Sequence, residues 1–308
     1  MKKIFRILFL LSLLQGCIET KPLPDLAESP ILQVKCLING ADTNRIFLSR
    51  LYPLRDTLLL KKEKPLNSIV EIKVDGEPIP VFRIEGPGSS EQFGFSTPLL
   101  PGQTVSASVS ASGTPQVYCS TVIPEPLLES DLLSFDISPI IPSQHPYIQK
   151  FSFDLVFRSG RAPAYDVLIR AETDSSSIVG SIVPTSPIGS KNSFLYASFW
   201  DQEVRYFSNA PSLCFTDRDF RDGDLIHLSG SVSFYNTKGE TIRSLKPSIQ
   251  TQSPELYRHI SASYVRSSND FEDWGVISTI TAYTNIENGF GYFAARSQSA
   301  STWKKEIQ

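Results

Sequence analysis

The segment CFTDRDFRDGDLIHL, Cys214 to Leu228, places Asp217, Asp219, Asp222 and Asp224 within one short stretch. Carboxylates this dense can gather oxygens round a calcium ion, form an acid–base pair, or sit in a turn with their charge neutralised nearby. An EF-hand loop needs ligands at alternate positions, Gly at the sixth and Glu at the twelfth, so that the oxygens converge on one ion. Here the order is D-x-D-x-x-D-G-D; the third aspartate comes one residue late and Leu228 stands where the glutamate would be. Arg218 and Arg221 lie between the carboxylates and can neutralise them. Asp222-Gly223 suits a tight turn leading into the apolar run Leu225–Leu228. A structured acidic turn with local Asp–Arg pairs fits best. A calcium site of another kind on these four aspartates stays open, as do catalytic carboxylates. Acid–base work needs two carboxyls converging on a cleft, and nothing in the order of residues brings them together.

Other chemistry is scarce. His145, His227 and His259 fall in a proline-rich loop, a strand and a helix, with no second histidine at metal-ligand spacing; they are read as structural or surface residues. The chain has no G-x-S-x-G, H-E-x-x-H, phosphate-loop or G-x-G-x-x-G motif. No catalytic residue, metal or cofactor is therefore assigned, and the chain is not expected to be an enzyme. Trp200, Trp274 and Trp303, with nineteen Phe and eleven Tyr, could form a stacking surface for a glycan or peptide. Aromatic side chains buried inside β structure are the simpler account.

The chain opens MKKIFRILFLLSLLQGC. Lys2, Lys3 and Arg6 form a basic region ahead of an apolar run, Ile7 to Leu14, too short for the ~20 residues that span a bilayer as a helix. Residues 1–16 are a secretory signal. Leu14-Gln15-Gly16-Cys17 resembles a bacterial lipobox, where a small residue precedes the cysteine that is acylated and becomes the new N-terminus. An ordinary signal peptide with an incidental cysteine is the alternative. Acyl chains hold a protein on a membrane because each buried methylene contributes about 0.8 kcal/mol. Residues 17–30 carry Pro22, Pro24 and Pro30 among polar residues, as a tether should.

The formal charge is −3. Loss of the three signal cations leaves 26 basic against 32 acidic residues, a balance of −6. A weakly acidic chain without a basic run is a poor nucleic-acid binder, because Lys and Arg supply that affinity. Beyond Cys17, the cysteines are Cys36, Cys119 and Cys214. An envelope location permits disulfides. Cys36 and Cys119 fall in the first and last strands of the N-terminal region, so a Cys36–Cys119 bridge is open, as are two free buried thiols.

The elements that must position these residues are mostly strands. Leu32, Val34, Cys36 and Ile38 alternate with more polar neighbours, the period of a half-buried strand. Val70, Ile72 and Val74 repeat it, and Asp75-Gly76 signals a hairpin. Val105, Ala107, Val109, then Val117, Cys119 and Thr121, complete an immunoglobulin-like β-sandwich over 31–124. Residues 125–308 read as a larger β-rich domain. Phe151, Phe153, Leu155 and Phe157 form one strand face and Tyr165, Val167, Ile169 and Ala171 another. Further strands are expected at 194–200, 203–208, 225–236, 276–284 and 290–296, the last two joined at Asn288-Gly289. One helix is predicted from Pro254 to about Arg266, with Ser253 as its cap and Leu256, Ile260 and Tyr264 on its buried face. The fold class is mainly β, with a single helix near the C-terminus.

Several segments together resemble a known family. They are the residues around Cys17, ILQVKCLING, IFLSRLYPLRD, VEIKVDGEPI, LLPGQTVSASV and STVIPEP, then CFTDRDFRDGD, SPELYRHISASYVRSS and TNIENGFGYFAARS. Their order and spacing are similar to the Bacteroidetes outer-membrane lipoproteins of domain of unknown function 4249. Thr284 departs from the usual Ser before Asn-Ile, and Cys36 is not a hallmark. The resemblance implies a lipid-anchored outer-membrane protein, on the periplasmic or surface face, that assists a TonB-dependent transporter in nutrient uptake. It implies no catalytic residues. The other classes are an envelope hydrolase acting on glycan or peptide, and a purely structural envelope module.

Overall fold

The computed structural model describes residues 30–40, 43–52, 65–85, 90–140, 147–160, 162–185, 193–197, 211–216, 223–236, 238–267, 283–299 and 303–307. The N-terminal strands are β1 (Ile31–Ile38), β2 (Asn44–Leu51), β3 (Ile69–Val74), β4 (Glu77–Ile79), β5 (Phe82–Ile84), β6 (Glu91–Phe95), β7 (Thr104–Ser110) and β8 (Val117–Val122). A 3-10 turn at Glu129–Asp131 leads to β9 (Leu132–Pro139), β10 (Ile148–Arg158), β11 (Ala164–Glu172), β12 (Ser177–Val179) and β13 (Ser181–Pro184). There follow β14 (Ser193–Ala197), β15 (Pro211–Thr216), β16 (Leu225–Tyr235), β17 (Ser244–Gln252), helix α1 (Pro254–Ser267), β18 (Phe290–Gln298) and β19 (Lys305–Glu306). The protein is mainly β, as its alternating pattern requires.

Burial follows that alternation. Leu32, Val34, Cys36 and Ile38 are buried while Gln33, Lys35 and Leu37 are only half-buried. Phe151, Phe153, Leu155 and Phe157 are buried along β10, each contributing about 1.5–3 kcal/mol by leaving water. The Asp75-Gly76 turn has φ of 50° and 91°, the left-handed pair that closes the β3–β4 hairpin.

One eleven-stranded sheet runs β14-β15-β11-β17-β18-β1-β2-β6-β5, with β12 beside β11 and β19 beside β17. Among the described residues, two four-stranded sheets, β4-β3-β7-β8 and β13-β16-β10-β9, accompany it. The first covers the β1, β2, β6 and β18 part of the long sheet, enclosing Val34, Cys36, Ile46, Phe95, Val105, Cys119 and Phe293. The second covers β11, β15 and β17, enclosing Phe153, Phe157, Tyr165, Phe215, Phe234 and Ile249. The β17–β18 register, Thr251 opposite Ser297, puts both cores on the same face of the long sheet. Helix α1 lies on the other face, where Leu256 and Ile260 pack on Cys214, Tyr292 and Ala294.

Ser253 caps α1 as expected: its hydroxyl accepts the Leu256 N–H at 3.4 Å. The same hydroxyl accepts the Ala295 N–H, tying the helix start to β18. The predicted strands at 203–208 and over most of 276–284, and the side chain of Tyr264, lie outside the described residues. Asn288 forms the expected turn with φ 59°. β18 then pairs in parallel with β1, Gln33 opposite Phe290 and Ile38 opposite Ala295. Strands from both sides of residue 124 therefore build one sheet.

Candidate functional site

Cys17, Asp217, Asp219, Asp222, His145, Trp200 and Trp274 lie outside the described residues. Asp224 precedes β16; its carbonyl accepts the Ser159 N–H at 2.8 Å, and the Gly223 N–H donates to the Ser159 carbonyl at 3.0 Å. Gly223 has φ 86°, a left-handed turn residue. Among the described residues no group of three or more His, Cys, Asp or Glu is placed to hold a metal ion.

Cys36 on β1 and Cys119 on β8 are free thiols in one core, contributed by facing sheets. Burial pushes the Cys119 thiol up to about 12, and burial with the neighbouring Cys119 raises Cys36 well above its ordinary value. At neutral pH neither offers a thiolate, the nucleophilic form. Cys214 is also free and buried, with its sulfur 3.6 Å from Asp166 Oδ1.

His227 points outward from β16. His259 on α1 is half-buried, its ring 4.5 Å from that of Tyr292 and its Nδ1 3.4 Å from the Tyr283 carbonyl oxygen. Burial lowers its pKa. Trp303 packs against the larger core, beside a cleft of about 280 Å³ bordered by Asp136 and Lys305. That cleft's charges are already committed: Lys305 pairs with Asp136 at 2.9 Å, and Lys304 with Glu172 at 2.8 Å.

A larger site is a groove of about 540 Å³ on the outer face of the β4-β3-β7-β8 sheet. Alternation sends Glu71 and Lys73 of β3, Ser106 and Ser108 of β7, and Tyr118 and Ser120 of β8 away from the core. Register aligns them in two rows, Glu71–Ser108–Tyr118 and Lys73–Ser106–Ser120. The small serines make a floor between taller walls. Successive outward residues on one strand stand ~7 Å apart, so the floor is two side chains long.

The far wall comes from residues 284–288. Glu287 forms an antiparallel bridge with Tyr118, each N–H donating to the other's carbonyl at 2.8 and 3.3 Å. The Asn285 amide donates to the carbonyls of Ser120 at 3.2 Å and Phe293 at 2.7 Å, and accepts the Phe293 N–H at 3.0 Å. The Asn288 amide donates to the Gln116 carbonyl. These bonds pin the wall to β8 and β18. The groove's functional ends stay available. Among the described residues, Lys73, the Tyr118 hydroxyl and the Glu287 carboxylate have no side-chain partner, while Glu71 accepts from Ser108 at 3.4 Å. Tyr118 is 45% exposed. Glu71 and Glu287 against Lys73 leave the groove one negative charge in excess.

Sequence comparison adds little to this geometry. No family model matches the chain, and no curated protein matches it. Among solved structures the chain is similar to a Corynebacterium diphtheriae protein described as membrane anchored. Identity is 14% and the TM-score 0.22, over 74% of this chain and 55% of that one. At that TM-score neither fold nor function carries across. Within the described residues, no helix is long and apolar enough to cross a membrane.

A second polar set lies on the α1 side of the long sheet. Asp166, Gln250 and Gln252 are buried there, and Thr216 Oγ1, Ser248 Oγ and Gln252 Oε1 have no hydrogen-bond partner among the described residues. It is closed to solvent, whereas the groove is open. The groove escaped sequence reading because its walls come from segments far apart in the chain. One trace was legible: Tyr118 is the aromatic residue among the outward positions of β3, β7 and β8, where Ser106, Ser108, Ser120, Glu71 and Lys73 surround it.

Proposed function

We propose that this chain is a lipid-anchored outer-membrane protein that captures a ligand in the groove beside Tyr118 and assists a TonB-dependent transporter. The groove carries this reading: its Tyr118 hydroxyl, Lys73 ammonium and Glu287 carboxylate are held on a pinned sheet and wall, with no side-chain partner among the described residues. The lipobox-like residues around Cys17 support the anchor, and the resemblance described above supports the transporter. Sharing one membrane raises the effective concentration of captor and transporter without any new contact. Glu71 and Glu287 are both exposed rather than set in the apolar pocket that a general acid uses, which favours binding over hydrolysis.

Fractionation of cells producing the tagged chain tests the anchor. The native protein should stay with membranes and show the mass of attached acyl chains, and Cys17→Ser should release it unmodified. A native protein recovered bare and soluble would refute the anchor. Co-purification with a transporter from mild detergent tests the partnership, which fails if none is recovered.

A further inference from the structure

We infer that the groove beside Tyr118 binds a short, uncharged oligosaccharide. This inference rests on the capture reading and specifies its ligand. Two features of the groove select the class. The Tyr118 ring stands exposed at one wall, presenting an apolar face to pack on the C–H face of a pyranose and a hydroxyl to bond its edge. Round it stand acceptors and donors in mixed supply: the Glu71 and Glu287 carboxylates, the Lys73 ammonium, the Gln116 amide and the floor serines. Vicinal hydroxyls donate and accept at once, and such a set can satisfy both roles.

Peptide fits less well. Extended peptides bind by adding to a free strand edge, with pockets for alternate side chains. The outer edge of β8 is already bridged by Glu287 at Tyr118, and the floor is serine, without an apolar pocket. Anionic ligands fit worst. The groove holds two carboxylates against one ammonium, in a chain that is itself negative, so a polyanion meets like charge on approach. The groove's size lies within the usual range for small-ligand sites, about 300–1,000 Å³.

Calorimetric titration of the acylated protein in detergent tests this, using neutral tetrasaccharides (cellotetraose, maltotetraose, mannotetraose), a heparin tetrasaccharide and a basic tetrapeptide. At least one neutral sugar should bind. Tyr118→Ala should weaken it about tenfold or more, and Tyr118→Phe should hold it within about threefold, since the ring face survives. Glu287→Gln should also weaken it, while Tyr147→Ala, an exposed ring outside the groove, should not. Tyr118 lies on the solvent face, so the melting temperature of Tyr118→Ala checks that the fold persists. The inference is overturned if no neutral sugar binds, if heparin or the peptide binds more tightly, or if Tyr118→Ala changes nothing. Membrane retention and transporter recovery are read separately, so a failure here leaves the anchor and partnership to stand or fall alone.

Discussion

Glu91 shows how one carboxylate can organise a loop. It is 7% exposed at the start of β6, and it accepts the N–H groups of Asn67 and Ser68 at 3.1 Å, the Ser68 hydroxyl, and the Arg83 guanidinium at 2.6 Å. Asn67 is left-handed, φ 45°, and these bonds hold it there. Burial pushes the Glu91 carboxyl up, but the Ser68 bonds, the Arg83 charge and the Asn67 amide outweigh it and hold it below its ordinary value. A lowered folded pKa gives stability that is present above the unfolded value, ~4.3, and lost as pH falls through the folded one. Glu91→Ala should cost about 1–3 kcal/mol in urea unfolding near neutral pH. Glu91→Gln should flatten the loss of stability below about pH 4.3. His259 works in the same direction higher up. Burial lowers its pKa, so the unfolded chain takes up a proton near pH ~6.5 that the folded state resists. Neither effect was legible beforehand, because Glu91 meets Asn67 and Ser68 only through the β2–β6 pairing and the return of the loop.

At the scale of elements, the decisive contact is β18 against β1. Gly291 in β18 has φ 115°, and a methyl group placed there would lie 1.9 Å from the Val34 carbonyl oxygen. Both the backbone angle and the space require glycine. Gly291→Ala should therefore destabilise the protein by at least about 2 kcal/mol, and it should loosen the groove wall through Asn285, which holds both backbone groups of Phe293. Hydrogen exchange at the Phe293 amide reads the second effect: faster exchange is expected, and unchanged protection would count against the link. Individual strands were legible here. Leu32 to Ile38 and Val105 to Val109 bury the residues that their period-two pattern marks. Helix α1 was legible too, from Ser253, Pro254 and the Leu256–Ile260 stripe. Which strand lies beside which was not, because alternation names a face and leaves the neighbour open. The parallel pairing of Gln33 with Phe290 has no local trace in either segment.

For the whole molecule, the shared sheet sets cooperativity. Phe293 and Ala295 of β18 complete the core formed by β1, β2, β7 and β8. Thr121 on β8 donates to Glu255 on α1 at 2.9 Å. A fragment of residues 31–124 alone would lack these contacts and expose the β18-facing edge of β1. Such a fragment should be unfolded or aggregated by circular dichroism and light scattering; a monomeric, cooperatively melting fragment would contradict this. The groove belongs to the same scale. Its floor was foreshadowed by the outward serines of β7, but its second wall arrives from beyond residue 283, so no window of sequence contains it.

The β1–β18 pairing also bears on timing. Synthesised N-terminus first, β1 is left without one neighbour until residues 290–298 have followed. Contacts so distant along the chain form slowly, so the core on which β1 packs closes late. Until that closure, the apolar face of β1 stays without part of its cover, the hazard that any late-pairing strand carries.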